Sequence, residues 1–258
     1  MNEILQHVSP SSLEMYDRCG IQWSFRYVLG KKVPPSGALV RGRAFHQAEE
    51  KNFKQKIETQ KDLPLEEVEA AFSDAYDLEI QDATLSKDEN AGTLKDEGIG
   101  GLQVYHQNIA STVQPKLVEA SFTATVADYP FAVRLDLVDD QNALRDTKTS
   151  SKSPVATQAD LSPQLTAYDL TYRQVFGQAP TSLKLDYAVL TKTPKTVTLI
   201  AKPRTEEVLK VYEEETALKI DAIRKGVFIP APADSWACSE KYCGYYSICT
   251  FGARRKNR

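Results

Sequence analysis

Residues 129–149 read Tyr-Pro-Phe-Ala-Val-Arg-Leu-Asp-Leu-Val-Asp-Asp-Gln-Asn-Ala-Leu-Arg-Asp-Thr-Lys-Thr, and the architecture follows from how this stretch alternates. From Tyr129 to Val138, the apolar residues Phe131, Val133, Leu135 and Leu137 fall on one face of a strand, because side chains in extended backbone point to opposite faces in turn. Asp139-Asp140-Gln141-Asn142 is turn chemistry, since Asp and Asn bond their own backbone and tolerate the left-handed conformation. Ala143 to Thr149 is the next strand. Upstream, Leu117 to Val126 alternates in the same way through Val118, Ala120, Phe122, Ala124 and Val126. Residues 117–149 therefore predict a three-stranded antiparallel meander.

Helical spacing dominates on both sides of it. Ser9 to Leu29 reads as one helix capped by Ser11 or Ser12, with Gly30 as its stop. A second helix runs from about Ala38 toward Gln60 and carries His46, a third from Leu65 to Ile80, and a fourth around Gly92 to Val113. After the meander come a helix from Gln158 to Phe176, strands from Ser182 to Thr191 and from Thr196 to Lys202, and an amphipathic helix from Arg204 to Lys225. Phe228 to Arg258 is a Pro-rich loop followed by a cysteine cluster. Helices, meander, helix, strands and helix predict an α/β fold, a central mixed β-sheet flanked by helices. The expected organisation is a single domain over residues 1–258, with 38–115 as a helical elaboration and 236–258 as a cysteine-cluster tail.

The bulk numbers narrow the class. The net charge is 32 − 35 = −3, so a nucleic-acid-binding chain would have to concentrate its positive potential locally. Arg254, Arg255, Lys256 and Arg258 in the tail are candidates, as are Lys148, Lys152, Lys192, Lys195, Lys202 and Arg204; any one of them could equally be a solvated surface charge. No apolar run reaches the length of a membrane span, and the N-terminus carries no secretory pattern, so a cytoplasmic protein is expected. There is no Gly-x-x-x-x-Gly-Lys loop, which argues against a bound nucleotide and an ATP-driven motor.

The chemistry concentrates in the meander. Asp136 points away from the apolar face of its strand. Asp146 and Lys148 are two apart on the next strand and share a face, and the short turn between the strands can bring Asp136 beside Asp146. Two carboxylates suit hard divalent cations such as Mg²⁺ or Mn²⁺, and a lysine beside them can orient water or neutralise charge on a phosphate. Asp-x-Lys by itself is a weak motif that a surface ion pair explains as well. Arg134 and Arg145 also flank the two aspartates and could pair with them instead.

The wider order is Gly42-Arg43-Ala44-Phe45-His46, then Asp136, then Asp146-Thr147-Lys148, then Gln164-Leu165-Thr166-Ala167-Tyr168. Gly-x-x-x-His, Asp, Asp-x-Lys and Gln-x-x-x-Tyr in that sequence resemble the RecB-like branch of the PD-(D/E)XK nucleases, a group that includes the AddB nuclease domain and the CRISPR-associated exonucleases. The resemblance covers nearly the whole chain and implies a restriction-endonuclease-like core. It implies that His46, Asp136, Asp146 and the Thr147 carbonyl are metal ligands. Lys148 is then the catalytic lysine, and Gln164 and Tyr168 are the helix pair that supports the site and contacts the DNA strand. Glu119 falls where such enzymes often carry a glutamate on the first strand and is kept as a supporting residue. Val133 stands where the family usually has glycine. The implied activity is that of an Mg²⁺- or Mn²⁺-dependent exonuclease on single-stranded DNA or DNA ends, with room for a helicase, recombination or CRISPR-adaptation protein as partner. The alternatives are a nuclease fold kept for gripping DNA or a partner with weak or absent catalysis, and a metal- or redox-sensing protein whose Asp-x-Lys is incidental.

The four cysteines are Cys19, Cys238, Cys243 and Cys249. A reducing cytosol disfavours disulfides, and three cysteines within twelve residues point to metal ligation. The C-x4-C-x5-C spacing lacks the C-x2-C knuckles that zinc sites usually use, although zinc and unliganded thiols stay open on the residues alone. One remote cysteine with three near the C-terminus resembles the 4Fe–4S site of the iron–sulfur RecB-like nucleases, which implies a cluster that clamps the two ends of the chain together. Those relatives more often show C-x2-C in the tail.

Overall fold

A computed structural model describes residues 8–252; the basic tail from Arg254 to Arg258 lies outside them. In chain order the elements are α1 (Pro10–Arg18), α2 (Gly20–Tyr27), α3 (Gly37–Thr59), α4 (Leu65–Glu79), α5 (Ala91–Asn108), β1 (Pro115–Val126), β2 (Tyr129–Asp139), β3 (Leu144–Ser150), α6 (Pro163–Phe176), β4 (Leu183–Val189), β5 (Lys195–Ala201) and α7 (Glu206–Arg224). The strands form one five-stranded sheet in the order β1-β2-β3-β4-β5. β2 and β3 pair antiparallel, β3 and β4 parallel, and β4 and β5 antiparallel. The expected α/β fold with a mixed sheet is thus what the chain adopts. The parallel pair needs a crossover, which α6 supplies.

The chain divides into two compact units. One comprises Met1–Pro34, Thr123–Val133 and Thr205–Arg258, and the other Pro35–Phe122 and Arg134–Arg204. The core of the second unit joins Val40, Ala44, Phe45, Ala48 and Phe53 of α3 to Val68, Phe72 and Tyr76 of α4 and to Leu102 and Tyr105 of α5, with Leu137, Ala188 and Leu190 supplied from the sheet side. Val40, Ala44 and Ala48 follow at four-residue spacing and Phe45 and Phe53 are eight apart, which places them on one stripe of the helix. Burying each phenylalanine there stabilises the unit by about 2–3 kcal/mol. β4 is buried almost throughout, as a strand covered on both faces must be. β5, with partner β4 alone, shows alternating exposure.

Two sequence expectations need correction. The helix expected over Ser9–Leu29 is two helices, broken at Cys19, whose backbone is extended (φ −167°, ψ 105°). Its cap is Ser9, which exchanges hydrogen bonds with Ser12 in a capping box. The break is tertiary in origin. Gly20 donates its N–H to the Ile229 carbonyl at 2.8 Å, and a Cβ on Gly20 would stand 2.7 Å from the Ile229 nitrogen. The incoming segment takes the backbone groups that a continuous helix would have used. α6, expected from Gln158, begins at Pro163, because Ser162 caps it through the Leu165 N–H and Pro163 is preorganised for the first helical position.

Candidate active site and cysteine-lined cavity

The register of β2 on β3 pairs Leu137 with Arg145 and Val138 with Leu144, so its continuation sets Asp136 opposite Asp146. The two carboxyl groups share a hydrogen bond. Lys148, on the same face of β3 as Asp146, brings its Nζ to 3.0 Å from Asp146 Oδ1 and 2.8 Å from Oδ2. Only the Oδ1 approach has hydrogen-bond geometry, which leaves Asp146 Oδ2 buried without a hydrogen-bond partner. α6 closes the circuit. Lys148 Nζ donates to Gln164 Oε1 at 2.8 Å, Gln164 Nε2 donates to the Tyr168 hydroxyl at 2.9 Å, and that hydroxyl donates to Asp136 Oδ1 at 2.9 Å. Gln164 and Tyr168 act together because four residues is one helical turn.

α3 brings His46 from the other side, with Nδ1 3.7 Å from Asp136 Oδ2 and the ring bonded to the Thr147 backbone. The Thr147 N–H in turn donates to Asp136 Oδ2 at 3.3 Å. A Cβ on Gly42 would meet the Thr149 hydroxyl at 3.3 Å, so the glycine one turn before His46 lets α3 lie against β3. His46, Asp136, Thr147 and Lys148 line one open cleft together with Gly42, Arg43, Glu50, Glu119 and Arg134.

Burial and charge set the protonation of this group. Asp146 is fully buried, and burial followed by the Asp136 charge lifts it to about 7. Burial also lifts Asp136, against the pull of Lys148 and the Tyr168 hydrogen bond. Two neighbouring buried carboxyls resist ionising together, and an added cation relieves that resistance. Burial lowers His46, with Lys148 adding to the effect, so the ring is held in the neutral form that a metal ligand needs. Among the described residues no three His, Cys, Asp or Glu side chains stand as a ready single-ion ligand group. The donor chemistry nevertheless fits a hard divalent ion: two neighbouring carboxyl groups, one with a buried oxygen that has no hydrogen-bond partner, and an imidazole beside them.

Arg134 and Arg145 do not pair with the two aspartates. Arg134 pairs with Glu119 through its Nε and with Glu50 at 3.6 Å. Arg145 forms a bidentate pair with Asp186 at 2.8 and 3.1 Å and reaches Asp139 at 3.3 Å. Glu119 adopts a left-handed backbone (φ 51°), and burial, then the Asp136 charge, raises its carboxyl to about 7. Sequence reasoning missed Glu49 and Glu50, which lie three and four positions after His46 and so share its helix face; that spacing was the available signal. Glu49 is buried, hydrogen-bonded to Tyr105 and Thr147, and raised well above the usual carboxylate range by desolvation. Tyr105, whose hydroxyl lies 3.0 Å from Thr147 Oγ1, gave no sequence signal apart from its apolar helical position.

The other unit holds the cysteines. Cys19, Cys238, Cys243 and Cys249 line one cavity with Phe25 and Tyr245, and none is in a disulfide. Burial, then the neighbouring backbone and the charges of the other three thiols, acts on Cys243, with a net rise. The Ala231 N–H donates to Cys19 Sγ at 3.3 Å. Tyr245 stacks on Phe25 at 5.3 Å and donates its hydroxyl to the Lys31 carbonyl at 2.8 Å. The helix break is what turns Cys19 into this cavity, since an extended residue between two helices carries its side chain out of either helical stripe.

A sequence profile of the PD-(D/E)XK nuclease superfamily matches residues 7–250. No curated protein matches the chain. Among solved structures, a Eubacterium rectale protein designated a candidate exonuclease superposes with a TM-score of 0.59 at 10% identity, covering 91% of this chain and 86% of its own. SSO0001 is 16% identical over 86% of this chain and 88% of its own, with a TM-score of 0.32. The first likeness is one of fold, at 10% identity.

Proposed function

Because the chain belongs to the PD-(D/E)XK nuclease superfamily, we propose that it hydrolyses DNA phosphodiester bonds, as an exonuclease on single strands or DNA ends, with Mg²⁺ or Mn²⁺ at the site on β2 and β3. The observation that carries this reading is the closed chain from Lys148 through Gln164 and Tyr168 to Asp136, set beside a buried Asp146 oxygen that has no hydrogen-bond partner. His46, Asp136, Asp146 and the Thr147 carbonyl are the residues that would hold the ion. A divalent ion supplies charge for a phosphoryl oxygen and makes water more acidic. The protein's own part is placement. Tyr168 and the Thr147 N–H fix the Asp136 carboxylate, and Gln164 fixes the Lys148 ammonium over Asp146. Lys148 is placed to orient the attacking water or neutralise charge growing on the phosphate. Gln164 and Tyr168 support the site through these bonds, and a contact of this pair with the DNA strand rests on the resemblance to RecB-like nucleases.

We propose that the cysteine cavity holds a 4Fe–4S cluster in the same protein. What supports this is that four thiols line one space and that four thiolates suit such a cluster. Bound there, a cluster supplies a cross-link between residue 19 and the C-terminal segment, and its role is structural. A reducing, cytoplasmic setting agrees with four unpaired-by-disulfide thiols. A helicase or a recombination or CRISPR-adaptation protein would be a natural partner for an end-processing nuclease that carries no motor loop.

The test is cleavage of end-labelled single- and double-stranded DNA by anaerobically purified protein with Mg²⁺, Mn²⁺ or EDTA, beside Asp146→Ala. Metal-dependent cutting lost in the variant, with a ladder that gives polarity, is the expected result. Cluster-loaded protein that binds both DNAs and cuts neither would replace this reading with that of a DNA-gripping module.

A further inference from the structure

We propose that Arg134 grips a backbone phosphate one or two nucleotides from the scissile bond, and that Glu119 and Glu50 hold it in place for that contact; the proposal rests on the nuclease reading above. Arg134 and Asp136 are two apart on β2, so they share a face and lie ~6.7 Å apart along the strand. A nucleic-acid strand advances ~3.4 Å per nucleotide in a duplex, which puts the arginine within reach of a neighbouring phosphate when Asp136 stands at the reacting one. The guanidinium is in the right place and in the right state. It lines the cleft with His46, Asp136 and Lys148, and its side chain is 56% exposed. Its Nε is engaged by Glu119, while Nη2 stands 3.6 Å from Glu50, beyond hydrogen-bond distance. Donors on its outer edge therefore remain for an oxyanion, and the planar fork matches a phosphate.

The other cations of the cleft are occupied differently. Lys148 is tied to Asp146 and Gln164, and Arg43 turns to Glu79 at 3.3 Å. A polyanion entering the cleft meets Glu50, Glu119 and Asp136, and Arg134 is the cation placed among these acids. An ordinary surface ion pair does not explain the arrangement. Such a pair stabilises by at most about 1 kcal/mol, while holding the non-glycine Glu119 at φ 51° costs about 1–2 kcal/mol. A left-handed residue inside a strand re-aims its side chain, as bulges beside active sites do. Here it turns Glu119 onto Arg134, and the pair adds no net stability that would account for the strain.

The experiment measures anisotropy of a fluorescent oligo(dT) on full-length protein over a salt series in EDTA, in the cleavage-deficient Asp146→Asn background. Adding Arg134→Ala should weaken binding about tenfold and lower the slope of log affinity against log salt by about 0.7, the value of one phosphate contact on a single strand, at an unchanged melting temperature. Arg134→Lys should restore the slope and only part of the affinity. Arg134→Gln, which keeps the stem, replaces the alanine variant if that one does not fold. Parental affinity and parental slope in Arg134→Ala or Arg134→Gln, with wild-type protein still digesting the same oligonucleotide in Mg²⁺, overturns this proposal alone. Wild-type protein that neither binds nor cuts it overturns the nuclease reading as well.

Discussion

Replacing Asp146 by asparagine should make the metal-free protein more stable while abolishing cleavage. The carboxyl is fully buried, faces the Asp136 charge, and is lifted from 3.8 to about 7. Each pH unit corresponds to about 1.4 kcal/mol, so ionising it in the folded protein costs at most about 4 kcal/mol. Coupling to Asp136 divides that penalty between two groups, and the variant gives up the charge of the Lys148 pair, so a net gain of about 1–2 kcal/mol is expected. Its sign with pH follows from the folded value lying above the unfolded one. Below about 4 both states are protonated; between there and about 7 only the unfolded chain releases the proton, so stability falls as pH rises through that window and stays low above it. In EDTA at about pH 8, Asp146→Asn should therefore melt about 2–6 °C above the parent, and its melting temperature should fall less between about pH 5 and pH 8. Mg²⁺ or Mn²⁺ should raise the parent's melting temperature by mass action and leave the variant's nearly unchanged. Scanning calorimetry of anaerobically purified protein at three pH values, with and without metal, reads all of this. Identical melting and identical pH dependence for the two proteins would refute the idea that buried, mutually repelling carboxyls wait for a cation here.

Lys148→Ala should lower single-turnover rates by about 10²–10³-fold with DNA affinity changed by less than about threefold; full turnover would remove the lysine from the chemistry. Tyr168→Phe deletes the hydroxyl that bonds Asp136 and Gln164 at 2.9 Å each; it should weaken Mn²⁺ binding by about tenfold or more, measured by titration, and unaltered affinity would show that Asp136 does not need it. A cluster in the cysteine cavity predicts that anaerobically purified protein absorbs visible light, that Cys19→Ala abolishes this absorbance and lowers the melting temperature, and that Gly20→Val does the same by driving a side chain into the backbone at Ile229. An unchanged melting temperature in a colourless Cys19→Ala protein would show that the cavity stabilises nothing.

The sequence by itself determined most of the strands and much of the grouping of the candidate site residues, because both rest on short-range rules. Alternation through Phe131, Val133, Leu135 and Leu137 set the face of β2. Two-residue spacing put Asp146 with Lys148, and four-residue spacing put Gln164 with Tyr168; the bonds between these groups follow from local periodicity and one short turn. Tertiary structure alone decided the partners. Arg145 adjoins Asp146 and so points to the opposite face of β3, where it finds Asp186 and Asp139; Arg134 shares the face of Asp136, two residues on, yet finds Glu119 from β1 and Glu50 from α3. Glu49 becomes a buried acid only where α3 meets Tyr105 and Thr147. The break at Cys19 has no local cause, since Met15 to Tyr27 reads as continuous helix. It is made by a segment more than two hundred residues away that takes the Gly20 N–H, and hydrogen bonds between distant backbones leave no periodic trace in a sequence.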